Sequence, residues 1–413
     1  MAQSKKPRQK GLIRKYSKRS RSYFGLFQRV SDVVPVNKTI AFAGLAGFLL
    51  ATSGCSLFGP GKAELKGDIK PGNGAYSVYY TDIDTNHGNA TTVNEDGSLV
   101  ATAKLNATNL FTRIDSSSTV GLFGARSADL VFINADGSVD TGFLDYPEGT
   151  GVTASTWLGS DEIASLVNVG QTADEYSNPL VIHDRSGKTL RSLQIYGFMQ
   201  SAIMNDEKLY LAGEIVSADP QDSGSRVITV DPKNMSVLDQ HDWRDTGGLQ
   251  SCAMSEGMLF CLESDKFGQD DYPEFSWNKL VKIDPTTWEK TPIKEFKDVG
   301  VTVQNLNGKV YVLLEHRLSM ISPDGKKIAA ERDFGDGEDA KAERLSAAPD
   351  GELDLYVRDF SFADRGAGKN YVGDVFHLNP STLETESRTP MELPGEQFVD
   401  LHAISADFFS VAK

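Results

Sequence analysis

From residue 75 onward the chain alternates short runs rich in β-branched and aromatic residues with polar turns, as in Leu209-Tyr210-Leu211-Ala212 and Lys309-Val310-Tyr311-Val312. Runs of this length bounded by turn residues predict β-strands, and no segment of useful length carries the 3.6-residue period of a helix. The runs come in a fixed order. Hairpins are predicted at 110–124, 152–167, 198–213, 249–263, 301–315, 345–357 and 398–412. Each is followed or preceded by a further strand that ends in a turn of the Asn/Asp-Pro or Asp-Gly kind, among them Asn94-Glu95-Asp96-Gly97, Asp184-Arg185-Ser186-Gly187, Asp284-Pro285-Thr286-Thr287 and Asn379-Pro380-Ser381-Thr382. Asn307-Gly308 marks a two-residue hairpin turn between Leu306 and Lys309.

The turns recur at intervals averaging about 47 residues, and a four-stranded unit of that size cannot bury both of its faces alone. Copies must stack, and short antiparallel sheets do so in a ring. The fold predicted is an all-β, seven-bladed β-propeller over 75–413. The chain ends on a hairpin and begins with the complementary half of a blade. The last blade is therefore expected to combine N-terminal strands C and D, at 76–81 and 98–105, with C-terminal strands A and B. That arrangement leaves no open sheet edge.

Segments such as Leu280-Val281-Lys282-Ile283-Asp284-Pro285-Thr286-Thr287 resemble the strand-and-turn signature of the WD40/YVTN-type propeller superfamily. The resemblance implies architecture more than activity, because a propeller is a scaffold for many functions. The Gly-His…Trp-Asp signature of WD40 repeats is absent, and the Trp of quinoprotein-type repeats occurs sporadically, as at Trp243. No cofactor is expected.

Residues 1–38 carry eleven Lys/Arg against one acid, Asp32, and precede an uncharged apolar run at 39–52. Fourteen residues suit the h-region of a signal peptide better than a membrane span. The run ends in Ser53-Gly54-Cys55, which resembles the lipobox of bacterial lipoproteins, with Thr52 where an aliphatic residue is usual. The resemblance implies acylation at Cys55 and an anchored body on the extracytoplasmic face of the cell membrane. An uncleaved signal anchor is the alternative. The long basic arm reads either as a cytoplasmic tail that fixes orientation or as the product of an upstream start. Residues 1–54 thus form a basic arm with a signal peptide, and 55–74, rich in Gly, Pro and Lys, reads as a flexible tether.

Without residues 1–54, Lys+Arg falls from 42 to 31 and Asp+Glu from 57 to 56, a net charge of −25. Nucleic acid and anionic lipid surfaces are disfavoured as partners, since both need a basic face. Cys252 and Cys261 face each other if Glu256-Gly257 makes a two-residue turn, and an exported protein oxidises such a pair. Two reduced core thiols are the alternative.

Candidate chemistry is sparse. Asp82, Asp84 and Asn86 have the D-x-D-x-N start of a calcium loop, but Val93 stands where a bidentate Glu belongs. The histidines have no metal-ligand spacing, and no nucleophile elbow or phosphate loop occurs. The distinctive feature is a set of long connections between second and third strands, on one face of the ring. They bring together Tyr176, Asp270, Asp271, Tyr272, Phe275, Trp277, Phe360 and Phe362 as a candidate ligand-binding surface. The expected function is that of a binding scaffold for a protein or cell-envelope ligand. A lyase or hydrolase acting on an envelope polymer is the second hypothesis, recognisable by convergent carboxylates, His or Arg with shifted pKa values at the channel mouth.

Overall fold

The computed structural model describes residues 63–82, 87–146, 151–159, 161–169, 177–217, 220–265, 277–334, 340–359, 371–394 and 399–410. They form seven antiparallel sheets, six of four strands and one of five. The protein is a seven-bladed β-propeller. Blade 4 shows the pattern: Leu249–Ser255, Met258–Glu263, Lys279–Ile283 and Lys290–Glu295, each hydrogen-bonded to the next. The first strands of blades 1 to 6 are Leu110–Asp115, Val152–Trp157, Phe198–Asn205, Leu249–Ser255, Gly300–Leu306 and Ala340–Ala347. They pack against one another around the axis.

Burial follows position in the blade. Second strands are covered on both faces by neighbouring blades. Thr119–Gly124, Ile163–Val167 and Leu353–Asp359 are buried at every position, so neither face of these strands meets solvent, and even Asp354, Arg358 and Asp359 lie inside. Fourth strands lie at the rim and are polar, as in Ser236–Arg244. The six hairpins expected between residues 110 and 357 are present as the first two strands of blades 1 to 6.

The seventh hairpin is not. The C-terminal end supplies one strand, Val399–Ser405, and then turns into a short helix, Ala406–Ser410. Phe408 and Phe409, which read as a continuing strand, instead pack with Ile69, Tyr79 and Ile404 beneath the ring. The N-terminal side supplies the other strands of blade 7: Tyr76–Asp82 pairs directly with Val399–Ser405, followed by Gly88–Val93 and Leu99–Asn106. The closing blade is therefore one strand plus three, where two plus two was expected.

The tether also differs from expectation. Glu64–Lys66 adds a fifth strand outside Leu99–Asn106, and Ala63 and Ile69 are buried. Thr92 Oγ1 donates to Ile69 O at 2.5 Å. The folded body thus begins by Ala63. Too few apolar residues lie in 63–74 to show a period in the sequence.

Cys252 and Cys261 face each other in the expected register and form a disulfide, with Glu256 and Gly257 both at positive φ in the turn.

Blade 7 is also pinned to blade 6 by a polar contact. Tyr76 Oη donates to Asp354 Oδ1 at 2.8 Å, and His377 Nδ1 donates to the same carboxylate at 3.0 Å while Nε2 reaches Asp350 at 3.1 Å. The hydrogen bond to Asp354, followed by the charges of Asp354 and Asp350, raises His377 to about 9. A raised folded-state value means that the stabilisation is complete below the unfolded value, about 6.5, and is lost as pH climbs through about 9. His377→Gln should lower stability at pH 6 by about 1–2 kcal/mol, after allowance for solvent screening. The gap to the parent should close by pH 10. Urea unfolding at both pH values checks this, and a gap that stays constant would show that the charge of His377 contributes nothing.

Candidate functional site

Six of the seven innermost strands carry a β-bulge close to their first residue. The extra residues are Phe111, Thr153, Gln200, the pair Gln250-Ser251, Val301 and Glu343. A bulge places two residues opposite one and re-aims a side chain, which is why bulges gather at barrel rims and sites. Here they recur at one end of the innermost strands, on the face that carries the connections between second and third strands. Hydroxyls in this zone tie neighbouring blades together. Thr112 donates to Val152 O at 3.2 Å, Thr153 to Met199 O at 3.1 Å, and Ser201 Oγ accepts from Cys252 N at 3.2 Å.

The second strands of successive blades reach this same end on an acid. Glu214 lies opposite Phe198, Glu263 opposite Leu249 and Asp359 opposite Ala340, while Glu315 directly follows the second strand of blade 5. In blades 3 to 5 an apolar run closing on a carboxylate is visible in the sequence, at Glu214, Glu263 and Glu315. Its meaning is not, because the hairpin register has to be known first.

Cations answer these acids. Lys290 Nζ lies 2.6 Å from Glu263 and Lys341 Nζ 2.8 Å from Glu315. Arg358, itself buried, lies 3.3 Å from the bulge residue Glu343. Arg344 lies 3.7 Å from Asp400 and sits over the ring of Phe111 at 5.2 Å, joining blades 6, 7 and 1 across the mouth. Asp400 also accepts from Asn109 Nδ2 at 2.8 Å. Desolvation raises Glu343 against the opposing pull of Arg358, Arg344 and Lys341. Glu214 accepts a 2.9 Å hydrogen bond from Gln200 Nε2, and desolvation lifts it to about 7. Gly248 lies against it, where a Cβ would meet Glu214 Cγ at 2.1 Å.

His402 is buried on the innermost strand of blade 7 and donates from Nε2 to Leu110 O at 2.6 Å. Burial, then the charges of Arg344 and Arg113, hold its pKa well below the usual value, so it is a neutral clasp between blades 7 and 1. Asp298, Glu315 and His316 offer ligand atoms within 4.8 Å of one another. The Lys341 ammonium already neutralises Glu315, and Asp298 accepts from both the backbone and Nδ1 of His316. The set is satisfied by protein cations and carries no metal assignment.

Of the residues expected to bind ligand, Tyr176, Asp270, Asp271, Tyr272, Phe275, Phe360 and Phe362 lie outside the described residues. Trp277 is buried among Phe260, Leu262, Leu280 and Phe296, where it packs blade 4 against blade 5. Asp84 and Asn86 also lie outside the described residues, and Asp82 ends the strand paired with Val399.

No protein-family model matches the chain, and no curated protein sequence does. Among solved structures it is similar to an ACO/RPE65 chimera, at 10% identity and a TM-score of 0.51 over 84% of this chain and 96% of that one. Virginiamycin B lyase from Staphylococcus aureus is 10% identical, with a TM-score of 0.49 over 78% and 90%. The WD40 domain of Neurospora crassa Pan2 is 11% identical, with a TM-score of 0.45 over 74% and 88%. At these identities the likeness shows the fold alone.

The charged mouth has a cost that can be measured. Arg358→Met leaves Glu343 desolvated without its nearest cation and should destabilise the protein by about 3–5 kcal/mol. Adding Glu343→Leu should restore much of that loss, because two apolar side chains then replace a buried pair. Denaturant midpoints of the two variants check this. A single variant within about 1 kcal/mol of the parent would show that Arg344 and Lys341 suffice for Glu343.

Proposed function

We propose that the chain is a lipid-anchored, extracytoplasmic propeller that acts as a binding scaffold for a protein or cell-envelope ligand. The working surface is the face with the bulge ring and the long connections. The observation that carries the reading is the mouth itself. Lys341, Arg344 and Arg358 are interleaved with Glu315, Glu343 and Asp400 across blades 5 to 7, with Phe111 beneath Arg344. Lys341, Arg358, Glu315 and Asp400 are buried and hold the strands in place, while Arg344 and the exposed ring of Phe111 offer a cation and an aromatic face on rigid strands, a combination suited to recognition. The Cys252–Cys261 disulfide supports an oxidising compartment, and the Ser53-Gly54-Cys55 segment supports an anchor.

The second reading, a lyase or hydrolase acting on an envelope polymer, is favoured by the carboxylates with raised pKa values at this same mouth, Glu343 beside Arg358 and Glu214 beside Gln200. Glu214, at about 7 and hydrogen-bonded to Gln200, is a carboxylate poised to take or give a proton near neutrality.

The expected outcomes differ. Pull-down from the native envelope with the domain starting at Ala63 should capture a ligand, and Arg344→Ala with Phe111→Ala should weaken that capture at least tenfold in protein that is still folded at the assay temperature, its melting temperature lowered because Asp400 is left buried without this cation. Glu214→Gln should leave capture intact. Capture unaffected by the double variant would place the contact elsewhere. Turnover of an envelope polymer that disappears in Glu214→Gln would replace the scaffold reading with the enzyme. Cys55→Ala should release the full chain from membranes or block its processing; unchanged mass and membrane retention would contradict the anchor.

A further inference from the structure

Arg185 lies in the turn between the third and fourth strands of blade 2, Leu180–His183 and Thr189–Leu193, at the face opposite the mouth. From there it reaches into blade 1. Its Nη1 donates to Asn134 Oδ1 at 3.1 Å and its Nη2 to Thr119 Oγ1 at 2.9 Å. The guanidinium also sits over two rings, Phe132 at 5.8 Å and Trp157 at 5.5 Å. Trp157 is the last residue of the innermost strand of blade 2, at the end away from the bulge.

This cation has no counter-ion. No carboxylate lies within ion-pair distance of Arg185 among the described residues, whereas Arg113, Arg191 and Arg226 each have one. The acids around it are engaged otherwise. Asp184 accepts from Ser186 N, Ser186 Oγ and Lys188 N. Asp140 accepts from Asn134 Nδ2 at 2.9 Å and is linked to Arg185 through that side chain.

Two donors are left over. Arg185 Nε and Trp157 Nε1 are both buried, and neither has an acceptor among the described residues. A desolvated N–H without an acceptor costs free energy, and such a group in a folded protein calls for an explanation. Here two of them belong to side chains packed on each other. Nε is bonded to the Cζ that lies 5.5 Å from the Trp157 ring centre, and Nε1 is a member of that ring. Both are therefore within reach of the two oxygens of one carboxylate at N–H···O distances of about 2.9 Å. Each side chain as a whole is only half-buried, so the pair lies just beneath the surface.

We propose that Arg185 and Trp157 form a binding site for the carboxylate of a small organic acid, which accepts one hydrogen bond from each bare N–H. The donor set selects this occupant. It offers hydrogens and one positive charge and no acceptor, so it suits an oxyanion and disfavours an amine or a metal ion. A single guanidinium balances a single negative charge. A doubly charged phosphate brings a larger desolvation cost into the same covered place. The partly exposed Trp157 ring offers an apolar wall for a short hydrocarbon tail. Arg185 is held in place for this task by Asn134, Thr119 and the two rings, so little side-chain freedom remains to be lost on binding. The site is on the opposite face from Arg344 and Phe111 and is independent of the ligand proposed for the mouth.

Sodium propionate is the probe, titrated into the full chain in exchange for chloride at constant ionic strength. The indole N–H resonance of Trp157 in 1H–15N spectra should move saturably while the other Trp signals stay in place. Trp157→Phe identifies that resonance by its loss and keeps an apolar ring at the position. Arg185→Lys keeps the charge and removes the Nε–H. Calorimetry should show propionate binding weakened about tenfold or more in each variant, the equivalent of one charge-assisted hydrogen bond. If Arg185→Lys does not fold, Trp157→Phe decides alone. A shift that grows linearly without saturation shows that the two donors meet only water, and overturns the site. Parent-like affinity in the folded variants overturns it as well, because the anion then binds elsewhere. Tighter binding of inorganic phosphate than of propionate overturns the carboxylate assignment.

Discussion

The whole ring depends on one strand pairing. Each blade buries its two faces against its neighbours, so no blade is stable without both, and a gap anywhere would expose two apolar faces and two sheet edges. Tyr76–Asp82 and Val399–Ser405 close that gap, joining residues more than three hundred positions apart in an unbroken seven-residue register. The pairing carries its own locks. His402 clasps blade 1 through Leu110 O, Asp400 holds Asn109, and Tyr76 reaches across to Asp354 in blade 6. A buried, neutral His402 is compatible with this place because its donor is satisfied by a carbonyl, whereas an imidazolium beside Arg344 and Arg113 would not be.

Closure also explains where the chemistry lies. Innermost strands crowd at the axis, and a bulge lets a strand bend while one residue leaves the ladder. Repetition of that bulge in six blades turns a packing device into a ring of unpaired residues near one end of the innermost strands. The residues in it are unlike one another: Phe111, Thr153, Gln200, Val301 and Glu343 share a place but not a chemistry. The scaffold thus repeats while the site does not, and charged residues meet at this end from blade 3, with Glu214, to blade 7, with Asp400.

Local physics was legible in the sequence. Turn residues and β-rich runs located six hairpins, and counting outward from Glu256-Gly257 located the disulfide. Long-range assignments were harder. Phe408-Phe409 has the apolar character of a strand, and only the packing beneath the ring, against Ile69 and Tyr79, makes it a helix. Glu64–Lys66 is too short to show a period, and its partner lies some forty residues away. Bulges are silent in a sequence because one added residue alters the pairing and not the composition. Among the expected aromatics, Trp277 shows that a large ring in a connection serves the core as readily as a surface.

The central claim is that the last strand of the chain belongs to the core of the ring and is not a frayed end. Native-state hydrogen exchange measures this directly. The protected amides of Val399–Ser405 should exchange only through global unfolding, with the same free energy as those of buried second strands such as Lys309–Leu314. Exchange of the 399–405 amides by low-energy local opening, at the rate expected of a terminal segment, would contradict the closure on which this account of the fold and its mouth depends.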